Sequence, residues 1–369
     1  MLGIGCWVAH HAEVDTDPPS GITTPHPSLE NRLRDLGDLV DGWTREIITE
    51  AVSEPAARFA AILEYHLGWR DANLSPLSSA APSGKKLRPA LALLVSEAVC
   101  GSIEPARASA VAVELVHNFS LVHDDIEDRS RLRRHRQTLW SIWGFEQGIN
   151  AGDALFALAQ IALLRDPSPP AATLAAELNA ACLRLAEGQY LDIELQRGAL
   201  PASLETYAAM IERKTATLFE CACRLGALAA GADQAEQSAF ATYGRELGLA
   251  FQEQDDLLGV WGRSGVTGKP EAADVIERKR GLPAAVALSR ADAPEWLKDT
   301  YADSAGAPSP ELVERIIAYF DHIQVREIIE RRVEQRYKRA LEALTAASPR
   351  EPARVYLVEL CELLVSRRA

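Results

Sequence analysis

Asp124, Asp125 and Asp128 are the first residues whose types and spacing could do chemistry. They end a mostly apolar run that begins ASAVAVELV and precede the basic block RLRRHR at 131–136. On a helix, Asp124 and Asp128 lie one turn apart on one face. Adjacent carboxylates repel each other unless a cation lies between them, and Mg²⁺ binds carboxylate oxygens while sharing substrate phosphates. The cluster therefore predicts a divalent-cation site, with a solvated acidic helix end as the alternative.

A second acidic pair has a similar setting. Asp255 and Asp256 lie in the run LAFQEQDDLL at 249–258, and Lys269, Lys279 and Arg280 follow them. Two carboxylate groups, each followed by cations, suit a diphosphate bridged by Mg²⁺. The metal binds carboxylate on one side and phosphate on the other, while Lys and Arg neutralise the remaining charge. Together the two clusters predict diphosphate chemistry.

Other polar residues in otherwise apolar surroundings fit this interpretation. Lys85 and Arg88 lie in SGKKLRP at a predicted helix start, where backbone N–H groups also favour anions. Lys214 lies in IERKTATLFE, and Gln189 and Asp192 interrupt an apolar stretch in EGQYLDIE. The basic residues among them, Lys85, Arg88 and Lys214, are candidates for holding phosphate groups.

The composition indicates a globular protein and excludes some function classes. The 369 residues are 47% hydrophobic and 25% charged, and the mean hydropathy is −0.08. A net charge of −13 and a pI of about 5.2 argue against nucleic acid as a partner. The six cysteines are scattered without a CxxC pair, which favours reduced thiols over a disulfide framework; Cys221 and Cys223 as metal ligands is the weaker alternative.

The termini and apolar runs contain no predicted targeting or membrane segment. The first 28 residues lack a basic region followed by a long apolar run, as a secretory signal would have. No segment approaches the roughly 20 apolar residues that a membrane span needs. We therefore expect a cytoplasmic protein that does not span a membrane.

Helical periodicity runs through nearly the whole chain. Apolar positions recur at three and four residues in, for example, EIITEAVSEPAARFAAILEYHL and VREIIERRVEQRYKRALEAL. Strand-like alternation is nearly absent, and no turn-rich break is long enough for an interdomain linker. The prediction is an all-α fold, with a flexible N-terminal tail over 1–30 and one helical domain over 31–369.

Taken in order, these motifs resemble the trans-isoprenyl diphosphate synthases of the polyprenyl synthetase family, most closely from about 80 to 290. The matching pieces are GKKLRP, the H-x6-DDxxD block from His117 to Asp128, RR at 133–134, the INAGDAL run, QxxD at 189–192, KT at 214–215, FQxxDD at 251–256, GK at 268–269, and Asp274 followed by Lys279. The resemblance implies a bundle of long helices around a deep central cavity, with the two Asp-rich motifs facing each other at its mouth. It also implies a homodimer.

The resemblance implies a role for each matching residue in joining isopentenyl diphosphate to an allylic diphosphate. The expected catalytic residues are Asp124, Asp125, Asp128, Arg133, Lys214, Asp255, Asp256 and Lys269. The expected allylic-diphosphate residues are Arg133, Lys214, Thr215, Gln252, Lys269 and Lys279, and those for isopentenyl diphosphate are Lys85, Arg88, His117 and Arg134. The expected metal ligands are Asp124, Asp128 and Asp255, holding Mg²⁺ (three ions with bound diphosphate), with Mn²⁺ as an alternative.

Product length is predicted from the two residues one helical turn before Asp124. Ser120 shares the face of Asp124, about 6 Å along the helix, and is small. Phe119 is bulky and is expected to close the cavity farther round. In the family this combination resembles enzymes that make geranylgeranyl diphosphate (C20), with farnesyl diphosphate (C15) or a longer product as alternatives. Phe251 is a candidate for stabilising a carbocation, or else an ordinary core aromatic.

Three positions depart from the family pattern. Gly259 stands where the second motif commonly has a third Asp, so weaker metal binding or altered turnover is expected. His135 stands where Gly often follows the arginine pair, and Gln137 where Pro is common.

Two other functions remain as alternatives. A class I terpene cyclase would share the DDxxD chemistry but would not need a site for isopentenyl diphosphate, which Lys85, Arg88 and Arg134 indicate. A non-catalytic partner subunit would be expected to lose acidic ligands, whereas only the Asp at 259 is missing.

Overall fold

Helices make up almost the whole of the described chain. This computed structural model describes residues 27–81, 84–166, 170–262, 271–302 and 306–365. The helices are α1 (Leu29–Ala51), α2 (Ala57–His66), α3 (Leu87–Cys100), α4 (Arg107–Glu127), α5 (Leu139–Trp143), α6 (Phe145–Leu164), α7 (Ala171–Arg197), α8 (Leu204–Ile211), α9 (Thr217–Ala229), α10 (Gln234–Trp261), α11 (Ala273–Ile276), α12 (Leu282–Leu288), α13 (Glu295–Ala302), α14 (Pro310–His322), α15 (Val325–Ala346) and α16 (Ala353–Val365). The prediction of an all-α fold is confirmed.

Short irregular elements complete the fold. Two 3₁₀ turns (Glu54–Ala56 and Glu104–Ala106) precede α2 and α4, and a π turn (Glu212–Ala216) joins α8 to α9. In the part of the chain that the structure describes, the regular strands are limited to one antiparallel hairpin of β1 (Leu132–Arg133) and β2 (Arg136–Gln137). Two residues per strand are too few to show an alternating pattern in the sequence.

Helices α4 and α10 carry the two acidic clusters and lie inside the bundle. Helix α4 packs against α3, α6 and α9, and α10 packs against α9 and α15. A capping box starts α10: the side chain of Asp233 accepts hydrogen bonds from the Ala235 and Glu236 N–H groups, and Glu236 accepts from the Asp233 N–H. Because both helices are held along most of their length, the clusters near their C-terminal ends have defined positions.

Two apolar cores hold the bundle together. One joins α1–α4, α6, α7, α9 and α16 and includes the fully buried Leu36, Leu115 and Phe219. The other contains residues of α8, α10 and α12–α15, among them the fully buried Tyr207 and Phe320. Each fully buried large apolar side chain contributes about 1.5–3 kcal/mol.

The structure also bears on the expectations about the N-terminal tail, the cysteines and the absence of a membrane span. The boundary between tail and domain at residues 30 and 31 stays a prediction: helix α1 begins at Leu29 with Ser28 as its cap, and residues 1–26 lie outside the described residues. The five described cysteines are free thiols, and burial raises the pKa of Cys182 to about 11. None of the described helices is both long and apolar enough to cross a membrane.

Candidate active site

The first acidic cluster lies at the C-terminal end of α4, where polar groups from distant parts of the chain meet. The Asp124 carboxylate accepts hydrogen bonds from Arg133 Nη2 at 3.1 Å, Lys214 Nζ at 3.2 Å and Gln189 Nε2 at 3.1 Å. Asp125 points the other way: it is 3% exposed and accepts from Arg133 Nε at 2.8 Å. Asp124 therefore lines the cavity, whereas Asp125 holds Arg133 in place.

Negative charge accumulates in this cluster. Burial raises the pKa of Asp125 to about 6, although the Arg133 guanidinium opposes the increase. Desolvation in the cavity also raises the pKa of Asp128 to about 6, and the charge of Asp124 adds to it. A cation next to Asp124 and Asp128 would relieve this repulsion.

The hairpin that follows α4 presents Arg133 and Arg134 to the cavity. Its turn residues, Arg134 and His135, have φ angles of 51° and 64°, the left-handed region that glycine favours. His135 thus occupies a position where the Gly common in the family would be less strained. The turn nevertheless forms, with Arg133 paired to Arg136 across it.

Contacts with α2 and with the loop that follows it anchor the hairpin. The Arg136 guanidinium donates to the carbonyl oxygens of Tyr65 at 3.0 Å and Arg70 at 2.6 Å, and it stacks over the Tyr65 ring. The Tyr65 hydroxyl donates to the Gln137 carbonyl at 2.8 Å. This contact uses the backbone carbonyl of residue 137 and not its side chain. It therefore does not depend on whether Gln or Pro stands at that position.

The four residues predicted to hold isopentenyl diphosphate all line the cavity: Lys85, Arg88, His117 and Arg134. Arg88 Nη1 lies 3.5 Å from His117 Nε2. Burial lowers the pKa of Arg88 to about 10. Burial and the charge of Arg88 lower the pKa of His117 well below its usual value, so the imidazole is neutral near pH 7. The group is a positively charged pocket with a neutral hydrogen-bonding ring.

The sequence analysis missed two acidic partners of this pocket. Glu114, 5% exposed, lines it and accepts from Asn118 Nδ2 at 2.9 Å; burial raises the pKa of this carboxyl. Lys86 forms an ion pair with Asp41 of α1. A single Glu in an apolar helical run was the available signal for Glu114, whereas Asp41 is too distant in sequence to be paired with Lys86 by inspection.

The π turn places Lys214 and Thr215. Lys214 Nζ donates to Asp192 at 2.6 Å as well as to Asp124, and Thr215 Oγ1 donates to Gln252 Oε1 at 2.8 Å. Burial opposes protonation of Lys214, but the two carboxylates prevail and raise its pKa. The wider turn thus links α4, α7 and α10 through two successive side chains, as is common where π turns occur at functional sites.

Two glycines allow neighbouring helices to approach the π turn. A Cβ added at Gly188 of α7 would lie 2.2 Å from the Lys214 backbone nitrogen, and one at Gly248 of α10 would lie 2.8 Å from Ala216 Cα. Real side chains do not tolerate such distances to a backbone. A glycine inside a long helical pattern was the only signal for Gly188 in the sequence.

The second acidic pair divides in the same way as the first. Asp255 is exposed to the cavity, whereas Asp256 is 2% exposed and its carboxylate accepts two hydrogen bonds from the protein. Asp256 accepts from the Leu282 N–H at 2.7 Å and from Gln252 Nε2 at 2.8 Å. Burial raises its pKa, and Lys279 opposes the increase. Asp256 therefore ties α10 to the start of α12, and Asp255 is left to face a ligand.

Lys279 lies among carboxylates from three elements. Burial opposes its protonation, but Asp256, Asp274, Asp255 and Asp192, in order of decreasing effect, raise its pKa. Lys269, the other predicted lysine of this region, lies in 263–270, outside the described residues.

Both clusters open into one cavity of about 1710 Å³. The predicted residues that line it are Lys85, Arg88, His117, Asp124, Asp128, Arg133, Arg134, Lys214, Thr215, Phe251, Gln252, Asp255, Asp256 and Lys279. Phe119 and Ser120 are not among the described lining residues: Phe119 packs on Phe156 with ring centroids 5.5 Å apart, and Ser120 Oγ donates to the His117 carbonyl at 2.7 Å.

The chemistry of the donors fits the expected divalent cation. Asp124, Asp128 and Asp255 carry hard carboxylate oxygens and line the same cavity. Within the described ranges, no three His, Cys, Asp or Glu side chains lie close enough together to hold a metal ion by themselves. Mg²⁺ is commonly bound by one or two carboxylates with substrate phosphates completing its shell, so the site suits a metal that arrives with a diphosphate.

Comparison with known proteins identifies the family. The model of the polyprenyl synthetase family matches residues 73–320. The chain is 40% identical over 314 residues to a geranylgeranyl diphosphate synthase of Mycobacterium tuberculosis (84% of this chain, 87% of the relative). It is 39% identical over 272 residues to a (2E,6E)-farnesyl diphosphate synthase of Mycobacterium bovis (73% and 74%). A polyprenyl synthetase structure from Streptomyces coelicolor superposes with a TM-score of 0.83 at 34% identity, covering 91% of this chain and 99% of the other. The protein therefore belongs to the polyprenyl synthetase family and is a prenyltransferase, a short-chain prenyl diphosphate synthase.

Proposed function

We propose that the protein condenses isopentenyl diphosphate with allylic diphosphates, with Mg²⁺, to form geranylgeranyl diphosphate. The observation that carries this proposal is the pair of acidic clusters, around Asp124 and Asp255, that line one cavity together with the basic group of Lys85, Arg88 and Arg134. Two diphosphates can then bind side by side, one between the acidic clusters and one in the basic pocket.

The residues on the acidic side bind and activate the allylic diphosphate. When bound, Mg²⁺ would draw negative charge onto the leaving diphosphate. Arg133 and Lys214, already oriented by Asp125 and Asp192, donate to the same diphosphate, and Lys279 adds a further charge. Fixed cations stabilise charge that develops in the transition state without further reorganisation. The C1–O bond then breaks with its electron pair moving to the diphosphate.

The residues on the basic side hold isopentenyl diphosphate. Lys85, Arg88 and Arg134 neutralise its phosphates, and the neutral His117 offers a hydrogen bond. Its double bond forms the new carbon–carbon bond to C1 of the allylic cation. The proton then lost from the isopentenyl unit passes to the departing diphosphate. A class I terpene cyclase would have no use for this second pocket.

The product length is inferred from α4. Ser120 leaves space one turn from Asp124, and Phe119 lies beside it against Phe156 of α6. The two relatives described above are named for C15 and C20 products, so family membership leaves the length open. The pairing of Phe119 with Ser120 favours C20.

A product assay tests this proposal. Purified protein with Mg²⁺, isopentenyl diphosphate and dimethylallyl, geranyl or farnesyl diphosphate is expected to yield a C20 alcohol from all three primers after dephosphorylation, as sized by mass spectrometry. The Phe119→Ala variant is expected to make longer products, because truncating Phe119, which packs on Phe156 about one turn before Asp124, extends the space for the growing chain in that direction.

The control for Phe119→Ala is Phe59→Ala, which truncates a partly buried phenylalanine of α2, outside the helices α4 and α6 on which the prediction of product length rests. This variant is expected to keep the C20 product. A C15 or a longer product from the unmodified protein would contradict the C20 proposal, and failure of all primers to elongate would contradict the proposed function.

We also propose a homodimer. Helices α6 and α7, which pack against each other, expose large apolar side chains, among them Ile149, Leu164, Leu183 and Tyr190, which are between 47% and 65% exposed. Such exposure on a monomer is typical of interaction surfaces. Light scattering during size-exclusion chromatography is expected to give twice the 40.2 kDa chain mass; a monomer mass at micromolar concentration would contradict this.

A further inference from the structure

A ladder of ion pairs joins α10 to α15 just before the second acidic pair. Glu246 and Glu253 lie two helical turns apart on α10, and Arg332 and Arg336 lie one turn apart on α15. Arg332 Nη2 donates to Glu253 Oε1 at 2.6 Å, and Arg336 Nη1 donates to Glu246 Oε2 at 2.9 Å. Arg336 Nε also lies 3.7 Å from Glu253 Oε1. These four residues form the α10–α15 ladder.

Glu253 occupies a position where burial of a charge is costly. It is 0% exposed, two residues before Asp255, at a position that the FQxxDD motif leaves open. A carboxylate buried this deeply must be paired, and an apolar pair of similar volume is often equally stable or more stable. Apolar residues of the same two helices already share a core, among them Leu257 and Ile329. Helix packing alone therefore does not explain a charge at this position.

Ion pairs fix the axial register of two helices more sharply than apolar contacts do. Apolar burial is non-directional, whereas each Glu–Arg pair joins particular donor and acceptor atoms. The two rungs of the ladder, at Glu246 and Glu253, oppose sliding of α10 along α15. Because Asp255 lies on the same helix two residues beyond Glu253, such sliding would carry its carboxylate along the cavity wall.

The ladder also reaches the buried member of the acidic pair. Tyr207 of α8 is fully buried, and burial, the charge of Asp256 and the charge of Glu253 together raise its pKa well above its usual value. The Tyr207 hydroxyl therefore lies near both carboxylates. Helix α8 leads directly into the π turn that places Lys214. The helices that position Lys214 and Asp255 thus meet at the end of the ladder.

We infer that Glu253, paired with Arg332 and Arg336 of α15, is a positioning residue that sets the axial position of α10 and thereby the place of Asp255 in the cavity. This inference rests on the proposed function, in which Asp255 binds Mg²⁺ together with the allylic diphosphate. Glu253 acts through the helix, since it is fully buried and is not among the described residues that line the cavity.

Four variants separate positioning from stability. Glu253→Gln keeps the shape and removes the charge. Glu253→Leu and Arg332→Leu each leave one charge without its partner, and both are expected to lower the thermal midpoint. The double variant Glu253→Leu, Arg332→Leu removes both charges, so its midpoint is expected to return to that of the unmodified protein or to exceed it. Arg336 keeps Glu246 as a partner in all four.

The deciding readout is calorimetric binding of inorganic diphosphate with Mg²⁺, at a temperature where every variant is folded. Glu253→Gln and the double variant are both expected to bind it about tenfold more weakly, in the range found when a residue that supports a metal ligand is replaced. The KM of the allylic diphosphate is expected to rise in parallel. The KM of isopentenyl diphosphate is expected to stay unchanged, because the basic group lies on other elements.

The matched control is Glu334→Gln, which removes an exposed ion pair with Lys338 within α15 and is expected to change neither binding nor the thermal midpoint. A double variant that regains both its midpoint and its diphosphate affinity would show that the ladder only holds the helices together, and would overturn the inference. An affinity of Glu253→Gln within about twofold of the unmodified protein would also overturn it. Both results leave the proposed function intact, whereas absence of diphosphate binding by the unmodified protein would overturn the proposed function and the inference with it.

Discussion

Asp124→Asn is expected to lower the turnover of prenyl transfer by at least about a hundredfold, the range found when one preorganised electrostatic group is removed. Asp124 is where Arg133, Lys214 and Gln189 converge, and it is a proposed metal ligand. The amide keeps the shape but loses the charge that attracts both the metal and the two cations. Initial rates with saturating substrates and Mg²⁺ measure the effect.

The matched control for this substitution is Asp292→Asn, which alters an exposed ion pair with Arg290 away from the cavity. It is expected to leave turnover unchanged. Circular dichroism and thermal unfolding of both variants separate a loss of catalysis from a loss of fold. A turnover of Asp124→Asn within about threefold of the unmodified protein would show that the first acidic cluster does not hold the metal.

Gly188→Ala is expected to be the most damaging single methyl group that can be added near the site. The new Cβ would lie 2.2 Å from the Lys214 nitrogen and 2.7 Å from its Cα, and these backbone atoms cannot move aside as a flexible side chain can. Overpacking of this kind costs about 1–3 kcal/mol of stability. It also pushes the π turn away from Asp124, and a displacement of about 1 Å can cost a hundredfold in rate.

Denaturant unfolding and steady-state rates measure both effects. The control is Gly42→Ala in α1, where a Cβ meets nothing within 4 Å. That variant is expected to gain up to about 1 kcal/mol from helix propensity and to keep full turnover. If Gly188→Ala were as stable and as active as the unmodified protein, close packing of α7 on the π turn would not be what positions Lys214.

Short-range features of this protein were accessible from the sequence because they depend on residues close together in the chain. Helical periodicity predicted the all-α fold, and the spacing of Asp124 and Asp128 placed both on one face of a helix. The order of acidic and basic motifs predicted diphosphate chemistry and the family. The hairpin at 132–137 was not predicted, because two-residue strands leave no periodic signal and its turn residues are Arg and His rather than glycine.

Only the tertiary structure decided which member of each Asp pair is left exposed to a ligand. Asp124 and Asp125 have the same chemistry in the sequence, but burial and the Arg133 contact turn Asp125 into a support. The same division separates Asp255 from Asp256 through the Leu282 N–H. Adjacent residues on a helix point in different directions, and which direction is the cavity depends on how the helices pack.

The structure also decided the contacts between positions far apart in the chain. Gln189 and Lys214 meet Asp124 across 65 and 90 residues, and Gly188 lets α7 approach the backbone of Lys214. In the sequence, Gly188 appears only as a glycine inside a long helical pattern. Motif spacing along a helix is a local property and was determined by the sequence itself, whereas the exclusion of one side chain by another is a property of three-dimensional packing.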